Sequence, residues 1–581
     1  MKHTSVKAAT WHTGSQIEND AANPLEQSIT RVSDADIASP EVVNGNTFTA
    51  SLVAGFMPHY SYHPLPDGSI RLLRLLPDRD KDAPLRCNIV SYPLLESGSG
   101  DHSYDALSYV WGTTSKDFVI FIEDFQLAIT RNLATALLNL RDPFIERFIW
   151  VDAICIHQDD VKERNHQVQS MAMIYAQAAR VLVWLGEQQN DSEIALQAIH
   201  QAADEQFGDI GPTFQDAIRM LLKRPWFKRI WVLQEVAAAQ NVLVMCGSST
   251  IDGAAFCSGL NALGRHIEAL SDIVSLVRPA SYLIRHTVFK PKVLSRESDT
   301  FSLRIRPLGE LIDMYHTHEA SDRRDKVYAL LGMASVHSSS DRLSPDYEIE
   351  WGVLFRRLVQ LLLSKNADIT TWNNKDIAVI RAQGFVVGKV LAAVSEKNRV
   401  DRQIVDVSAK FSSGSSDKTP RLHASWVVQS LAIPIRKNDL ICVIRGASRP
   451  IIIRTYQDYC AVISVALTPL STFTDHTDSS YQDLVEAKGL PKRDFLLVWD
   501  WNSSRTSLGE EDEFHTLAKR QLGKRARGHK ATRRENVRLL WEDAGAFKEQ
   551  PKEGQDTESE LRGQLNVYVE KFRQVCLVYE S

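Results

Sequence analysis

The sequence is poor in cysteine for its length, and its cysteines follow no recognisable spacing. Seven cysteines are spread over 581 residues, and no two of them form a Cys-x-x-Cys pair. Disulfide-stabilised secreted domains and structural zinc sites need closely spaced cysteines, so neither class is indicated. The sequence also lacks a Gly-x-x-x-x-Gly-Lys-Ser loop, the mark of a nucleotide-driven oligomerisation module.

Long apolar runs are missing as well. The first thirty residues are polar, and the longest apolar stretch, residues 385–394, is interrupted by Lys389. A signal peptide or a membrane-spanning helix needs a longer uninterrupted apolar segment. We therefore expect a soluble, cytoplasmic protein with no membrane partner.

A strong excess of either charge is absent. Lysine and arginine total 67 against 72 acidic residues, a net charge of −5, which gives no overall attraction to nucleic acid or to an anionic membrane. Residues 519–538 are locally basic, with nine Lys or Arg and one acidic residue. Such a tract is more often a solvated helix than a nucleic-acid site, so nucleic-acid binding is the least favoured function.

What is present is the average composition of folded proteins, with 44% apolar and 24% charged residues. At roughly 100–200 residues per domain, the length allows about two to four domains. We predict a disordered leader at 1–55, an α/β domain at 62–250, a helical region at 251–400, a β-meander region at 401–510 and a charged helical tail at 511–581. The meander is predicted from short apolar segments at 426–429, 440–444, 451–454 and 460–466.

Strand-like and helix-like segments alternate between residues 104 and 247. Short apolar runs at 104–110, 148–151, 181–185 and 242–246 predict strands, and the segments between them carry the apolar spacing of helices. Strands joined through helices lie parallel to one another. The sequence therefore predicts an α/β fold in which these four strands share one parallel sheet, flanked by helices.

Three segments in this region carry a family resemblance. They read Tyr-Asp-Ala-Leu-Ser-Tyr-Val-Trp-Gly at 104–112, Trp-Val-Asp-Ala-Ile-Cys-Ile-His-Gln at 150–158, and Arg-Pro-Trp-Phe-Lys-Arg-Ile-Trp-Val-Leu-Gln-Glu at 224–235. With the downstream Asp-Arg-Arg-Asp-Lys-Val-Tyr-Ala-Leu-Leu-Gly at 322–332, they resemble the fungal heterokaryon incompatibility (HET) domain over about residues 62–335, with core motifs at 104–236. His157 departs from the family pattern, which usually has asparagine there.

The resemblance implies a role in allorecognition, because proteins of this family trigger programmed cell death after unlike fungal cells fuse. HET domains have also been compared with the TIR (Toll/interleukin-1 receptor) domains of innate immunity, some of which cleave NAD⁺. The first predicted strand is similar to the opening strand of a TIR domain, and residues 231–235 are similar to its Trp-x-x-x-Glu helix. The comparison implies a TIR-like (flavodoxin-like) sheet, Glu235 as the catalytic residue, and NAD⁺ as substrate with no cofactor.

A carboxylate at this position suits that chemistry. Trp231 and Glu235 are four residues apart on the predicted helix, so the indole and the carboxylate share one helix face. Breaking the nicotinamide–ribose bond develops positive charge on the ribose, which a fixed carboxylate stabilises. In open parallel sheets ligands bind beyond the carboxyl ends of the strands. The predicted nucleotide-binding residues are Tyr109, Trp111, Gly112, Asp152 and Trp231.

Plainer interpretations stand beside these assignments. Glu235 can be a solvated helix residue, and Asp152 can anchor a turn. Trp111 and Gly112 can form a tight turn with a packed indole. Glu163 is the second candidate carboxylate, but its position three residues after Asp160 suits the start of a helix at least as well.

A metal site or a Cys–His nucleophile is a weaker interpretation of Cys155 and His157, which lie close to Asp152 in the sequence. Alternate positions on a loop are not the spacing of metal ligands, and no activating base is identifiable. We therefore predict no metal site.

Two functions from different classes follow. The first is a cell-death effector that hydrolyses NAD⁺, a TIR-like NAD⁺ glycohydrolase. The second is a non-enzymatic signalling module that self-associates or receives its signal from a separate sensor protein. Loss of NAD⁺ in the presence of the purified protein distinguishes them.

Overall fold

A computed structural model describes residues 58–94, 103–205, 211–286, 301–335, 343–396, 399–409, 422–429, 434–447, 449–456, 459–466 and 490–501. All of these residues fall in one compact unit. The predicted leader at 1–55, the tail at 511–581 and the basic tract at 519–538 lie outside the described residues.

The first of two large sheets has nine strands, in the spatial order β5-β4-β2-β1-β6-β3-β7-β8-β9. The strands are β1 (Ser69–Leu75), β2 (Arg86–Pro93), β3 (Asp105–Tyr109), β4 (Phe118–Ile122), β5 (Phe125–Ile129), β6 (Arg147–Trp150), β7 (Arg180–Trp184), β8 (Val242–Cys246) and β9 (Ser249–Asp252). The four central strands β6, β3, β7 and β8 are parallel neighbours. The predicted parallel arrangement of these four segments is confirmed, because each is a short, largely buried apolar run.

Antiparallel strands extend this parallel centre on both sides. β1 pairs antiparallel with β6 and with β2, and β9 pairs antiparallel with β8. The sheet is therefore mixed.

Helices connect the strands. They are α1 (Arg131–Leu140), α2 (Asp152–Cys155), α3 (Val161–Gln177), α4 (Ser192–Ala203), α5 (Pro212–Leu222), α6 (Trp231–Ala238), α7 (Gly253–His266) and α8 (Glu268–His286). A 3₁₀ turn at Pro225–Lys228 precedes α6. Local sequence explains two of the starts: the Asp160 carboxylate accepts from the first-turn amides of α3, and Asp252 does the same for α7.

A linking region joins the two sheets. It contains a parallel pair, β10 (Arg306–Pro307) and β11 (Ala334–Ser335), with α9 (Leu308–Tyr315), α10 (Asp325–Leu331) and α11 (Trp351–Leu362). The predicted helical region at 251–400 is thus helical, in its described part, only as far as Leu362. Strands begin at Asp368, because the following residues are rich in β-branched side chains at strand spacing.

The second sheet has eight strands. They are β12 (Asp368–Trp372), β13 (Lys375–Glu396), β14 (Arg399–Ala409), β15 (Leu422–Gln429), β16 (Leu440–Ile444), β17 (Ile451–Thr455), β18 (Cys460–Ser464) and β19 (Arg493–Asp500). The segments predicted as strands at 440–444, 451–454 and 460–466 are β16, β17 and β18. The sheet is not a simple meander, since β19 runs parallel to β18 and also pairs with the long β13.

One apolar core extends through both sheets. Buried side chains from Ile70 to Trp501 form a continuous cluster, and a second, smaller cluster lies within the second sheet. Among the described residues, no helix is long and apolar enough to cross a membrane.

Candidate functional site

The carboxyl ends of two neighbouring parallel strands, together with α6, bring a set of charged and polar side chains together. Ser108 and Tyr109 end β3, and Asp152 follows β6 as the first residue of α2. Glu235 lies in α6, whose side chains are buried throughout. The strand-end positions are those at which open parallel sheets hold ligands.

Glu235 is buried, with 1% of its surface exposed. Its Oε2 accepts a short hydrogen bond from the Ser108 hydroxyl, whose oxygen accepts in turn from Trp226 Nε1 at 2.9 Å. Its Oε1 has no hydrogen bond within the described part of the chain, but lies 3.5 Å from Arg229 Nη1. The carboxylate is thus fixed on one side and faces a cation on the other.

This environment changes the acidity of Glu235. Burial raises its pKa to about 7, although Arg229 and the Ser108 hydrogen bond favour the ionised form. The nearby Asp152 charge also raises the pKa. Glu235 therefore changes its protonation state near neutral pH, as general acids and bases do.

Arg229 connects the two carboxylates. Its Nη2 lies 3.5 Å from Asp152 Oδ2, and its Nη1 donates to the Tyr109 carbonyl at 2.6 Å. Burial lowers the pKa of Arg229, but the Glu235 and Asp152 charges outweigh this and raise it. Its side chain is 20% exposed, so it lies between the buried carboxylate and solvent.

Asp152 accepts hydrogen bonds from several directions. Trp111 Nε1 donates to Oδ2 at 2.8 Å, and the Ala153 amide donates to Oδ1 at 2.8 Å. Tyr109 also hydrogen-bonds to it; burial, followed by the Asp152 charge, raises the pKa of that phenol far above its usual value. Trp111 itself is 40% exposed. It forms the outer part of the cluster around Arg229, which also contains Ser108, Tyr109, Asp152, Trp226 and Glu235.

Two further predicted residues lie beside this cluster. Gly112 adopts a left-handed backbone conformation with φ of +78°, which a glycine allows without strain. The neighbouring Asn132 stabilises this turn by donating to the Val110 carbonyl at 2.6 Å. Trp231 hydrogen-bonds to Asp325 in the downstream motif, so its indole connects α6 to α10.

Sequence reasoning missed Arg229 and Ser108, although both lie inside quoted motifs. The available signal for Arg229 was a basic residue between two aromatic ones, six positions before Glu235. A charged residue among buried neighbours generally needs an opposite charge, which pointed toward Glu235 or Asp152.

Glu163 lies in the first turn of α3, as its spacing from Asp160 predicts, and has a further role that the spacing does not show. Asp160 caps α3, whereas the Glu163 carboxylate binds the buried Arg71 with both oxygens and accepts from the His157 amide at 2.8 Å. Burial opposes ionisation of Glu163, but the Arg71 hydrogen bond outweighs it and lowers the pKa. The pair ties α3 to β1.

Cys155 and His157 are packing residues. Burial raises the pKa of the Cys155 thiol to about 12, so it is not an activated nucleophile. The His157 ring stacks on Tyr62 with centroids 4.6 Å apart. Ligand atoms of His157, Asp160 and Glu163 lie within 4.8 Å of one another, as a metal site would require. Because Arg71 already holds the Glu163 carboxylate, a cation would have to displace it.

The downstream motif at 322–332 covers α6. Arg324 binds the Asp322 carboxylate and donates to the Tyr347 and Ile349 carbonyls at 2.8 and 2.9 Å. Gly332 packs so closely on the Gln234 side chain that a Cβ would collide with it. The motif therefore holds the helix that carries Glu235.

The part of the chain that holds these residues is similar in sequence to known proteins. Residues 104–235, which contain every residue of the cluster around Arg229, match the family model of the heterokaryon incompatibility protein (HET). The chain is 27% identical over 384 residues to Heterokaryon incompatibility protein 6, OR allele, of Neurospora crassa, and the alignment covers 55% of each protein. The chain thus spans about half the length of this curated relative. No solved structure matches this chain. Residues 104–235 therefore carry a heterokaryon incompatibility (HET) domain, and the chain is similar over 384 residues to a fungal incompatibility protein.

Proposed function

We propose that this chain acts in heterokaryon incompatibility, as an allorecognition protein whose HET domain triggers cell death by hydrolysing NAD⁺. The observation that carries the proposal is the position of Glu235, a buried carboxylate paired with Arg229 beside the carboxyl end of β3. The likeness to a named incompatibility protein supports the cellular role.

The strand order supports a TIR-like domain. Numbered along the chain, the central parallel strands β6, β3, β7 and β8 lie in the order 2-1-3-4. This is the order of flavodoxin-like sheets, which bind ligands at the carboxyl end of the first strand. Ser108 and Tyr109 lie at that end of β3.

The proposed reaction breaks the bond between the nicotinamide nitrogen and C1′ of the ribose. The bonding electron pair leaves with nicotinamide, and the ribose acquires oxocarbenium character. Glu235, ionised above its pKa of about 7, stabilises this charge. A water molecule then adds its oxygen to C1′ and releases one proton. The products are nicotinamide, ADP-ribose and that proton.

Access to Glu235 needs a movement. With 1% of Glu235 exposed, substrate reaches the carboxylate only after Arg229 or Trp111 changes position. We expect self-association, or contact with a separate sensor protein, to produce that movement. A closed resting site suits an effector whose action kills the cell.

The burial of Glu235 also favours a second candidate function. A carboxylate with two polar neighbours and almost no exposure can also have a purely structural role, in which it joins α6 to β3. In that case the HET domain is a non-enzymatic module that signals by assembling with itself or with a partner.

The test compares Glu235→Gln with the unmodified chain. We expect the purified full-length protein to consume NAD⁺, and Glu235→Gln to abolish NAD⁺ loss and lethality on expression, since the amide keeps the volume and removes the charge. The control is Glu193→Gln, an exposed glutamate of α4. Full killing by a folded Glu235→Gln protein, or killing without NAD⁺ loss, would favour the non-enzymatic function.

A further inference from the structure

A cavity of about 260 Å³ lies between the segment that follows α9, the start of α10 and the end of β19. Its walls include His316, Thr317, His318, Glu319, Lys326 and Trp501. None of these residues belongs to the cluster around Arg229. The cavity is close to the size of small-molecule sites, which begin at about 300 Å³.

Two buried side chains at this cavity lack hydrogen-bond partners among the described residues. His318 is 5% exposed, and neither of its ring nitrogens makes a hydrogen bond of standard geometry with a described residue. Burial lowers the pKa of His318 to about 4, although the Tyr315 backbone favours the charged form, so the ring is neutral near neutral pH. Trp501 is 3% exposed, and its Nε1 is also unpartnered. An unsatisfied buried donor destabilises the folded state, and a ligand that accepts its hydrogen bond removes that cost.

The polar groups that line the cavity are mainly donors. Lys326 contributes an ammonium group, Trp501 an indole N–H, and Thr317 a hydroxyl. Lys326 is attracted by Asp376 and Asp500 and repelled by Arg323, while burial lowers its pKa. The acidic residue in the wall, Glu319, is 71% exposed and lies 3.9 Å from Lys228. These donors can hydrogen-bond an oxyanion, which must share Lys326 with Asp376 and Asp500.

The cavity wall is joined to the cluster around Arg229 by backbone pairing. The Ile230 amide donates to the Glu319 carbonyl at 2.9 Å, and the Glu319 amide donates to the Lys228 carbonyl at 2.6 Å. Arg229 and Glu319 form the corresponding β-bridge. A shift of residues 316–319 therefore moves the backbone of Arg229 directly.

We propose that this cavity binds a small molecule carrying an oxyanion, a phosphate or a carboxylate, and that its occupancy changes the position of Arg229. The ligand binds through Lys326, Trp501 and His318. The proposed binding of the ligand depends on the cavity alone. Only the effect of the ligand on activity rests on the proposed function of Glu235. The cavity is a second site, distinct from the one proposed for NAD⁺.

Calorimetry on the full-length protein tests binding. Inorganic phosphate and acetate are the two probes, each against sodium chloride of equal ionic strength. We expect one or both to bind saturably, and Lys326→Gln to weaken that binding about tenfold or more. The control variant, Lys162→Gln, alters an exposed lysine far along the chain and should bind as the unmodified protein does. The absence of saturable binding, or equal binding by Lys326→Gln, would overturn the proposal.

Hydrogen–deuterium exchange tests the link to Arg229 without measuring activity. We expect the bound probe to slow or accelerate exchange at the Ile230 and Glu319 amides, and this change to be lost in Lys326→Gln. Binding without any change at these two amides would refute the coupling to Arg229 but would still support the binding site. A protein that shows the coupling but no NAD⁺ loss would refute the proposed enzymatic function. Oxyanion binding and its coupling to Arg229 would both remain supported.

Discussion

Buried carboxyl groups with raised pKa values make the stability of this protein depend on pH, and Glu235 is one of them. The pKa of Glu235 is about 7 in the folded chain, against an ordinary value of 4.5. The folded state therefore holds a proton that the unfolded state has already released between these two pH values. Since the unfolded chain binds fewer protons there, the free energy of unfolding falls as pH rises from about 4.5 to about 7.

Glu235→Gln should remove that dependence. The unfolding free energy of the variant, minus that of the unmodified protein, should increase by about 3 kcal/mol between pH 4.5 and 7.5. The contributions of Asp313 and Asp325, whose pKa values are also raised, cancel because both proteins contain them. Urea denaturation at several pH values measures the difference. A difference that stays constant over this range would show that Glu235 is ionised throughout.

The Arg71–Glu163 pair gives a second prediction at this scale. The Arg71 side chain is 4% exposed, and Glu163→Gln leaves its charge buried without a carboxylate. We expect a loss of about 2–4 kcal/mol in unfolding free energy, with no change in NAD⁺ turnover. Breaking an exposed pair provides the matched control: Arg74 and Glu146 are 40% and 37% exposed, so Glu146→Gln should cost less than about 1 kcal/mol. Equal losses in the two variants would contradict the structural role of Glu163.

At the scale of elements, the sequence predicted the parts that depend on local patterns. Four short apolar runs separated by helical spacing were enough to place β3, β6, β7 and β8 in one parallel sheet. Pairing between distant segments was not predictable in this way. The antiparallel pairing of β1 with β6, and the parallel pairing of β19 with β18, join residues that no local pattern relates.

The candidate site shows the same division. Residues at strand ends, such as Tyr109, Trp111 and Asp152, were predicted because strand direction alone brings them to one edge. The approach of Arg229 to both carboxylates depends on how the segment before α6 packs, which spacing does not reveal. The position of Glu163 at a helix start was predictable, but its ion pair with Arg71 was not, because the two residues are 92 positions apart in the chain.

Close packing of two helices gives a prediction at this scale. Gly259 of α7 lies so near the Ile199 carbonyl of α4 that a Cβ would overlap it. Backbone cannot move aside as a flexible side chain can, so Gly259→Ala should cost about 3 kcal/mol or more. Gly211, before α5, has open space around it, and Gly211→Ala should cost about 1 kcal/mol or less. Thermal unfolding of both variants measures the contrast, and similar melting temperatures would mean that α4 and α7 separate easily.

On the scale of the whole molecule, the HET domain and the residues that follow it share one core. The apolar cluster that begins at Ile70 in the first sheet continues to Trp501 at the end of the second. The Asp313 carboxylate of α9 adds a polar link, accepting from the Ser464 hydroxyl at 2.8 Å and from the Val465 amide at 3.0 Å. The family match at 104–235 is therefore shorter than the unit that folds.

The last prediction follows from this shared core. A fragment of residues 58–286 keeps all nine strands of the first sheet but loses the motif at 322–332. It therefore loses the hydrogen bond that Trp231 donates to Asp325 and the contact of Gly332 with Gln234. Residues of α6 are buried throughout in the full chain. Loss of the motif exposes part of this helix, and each Å² of apolar surface that is exposed removes about 25 cal/mol of stabilisation. We therefore expect the fragment to bind a hydrophobic dye and to unfold without a cooperative transition, whereas the full chain unfolds cooperatively. Near-ultraviolet circular dichroism during heating compares the two. A fragment that melts sharply, at a temperature close to that of the full chain, would show instead that the first sheet folds independently and that α6 needs no cover from the downstream motif.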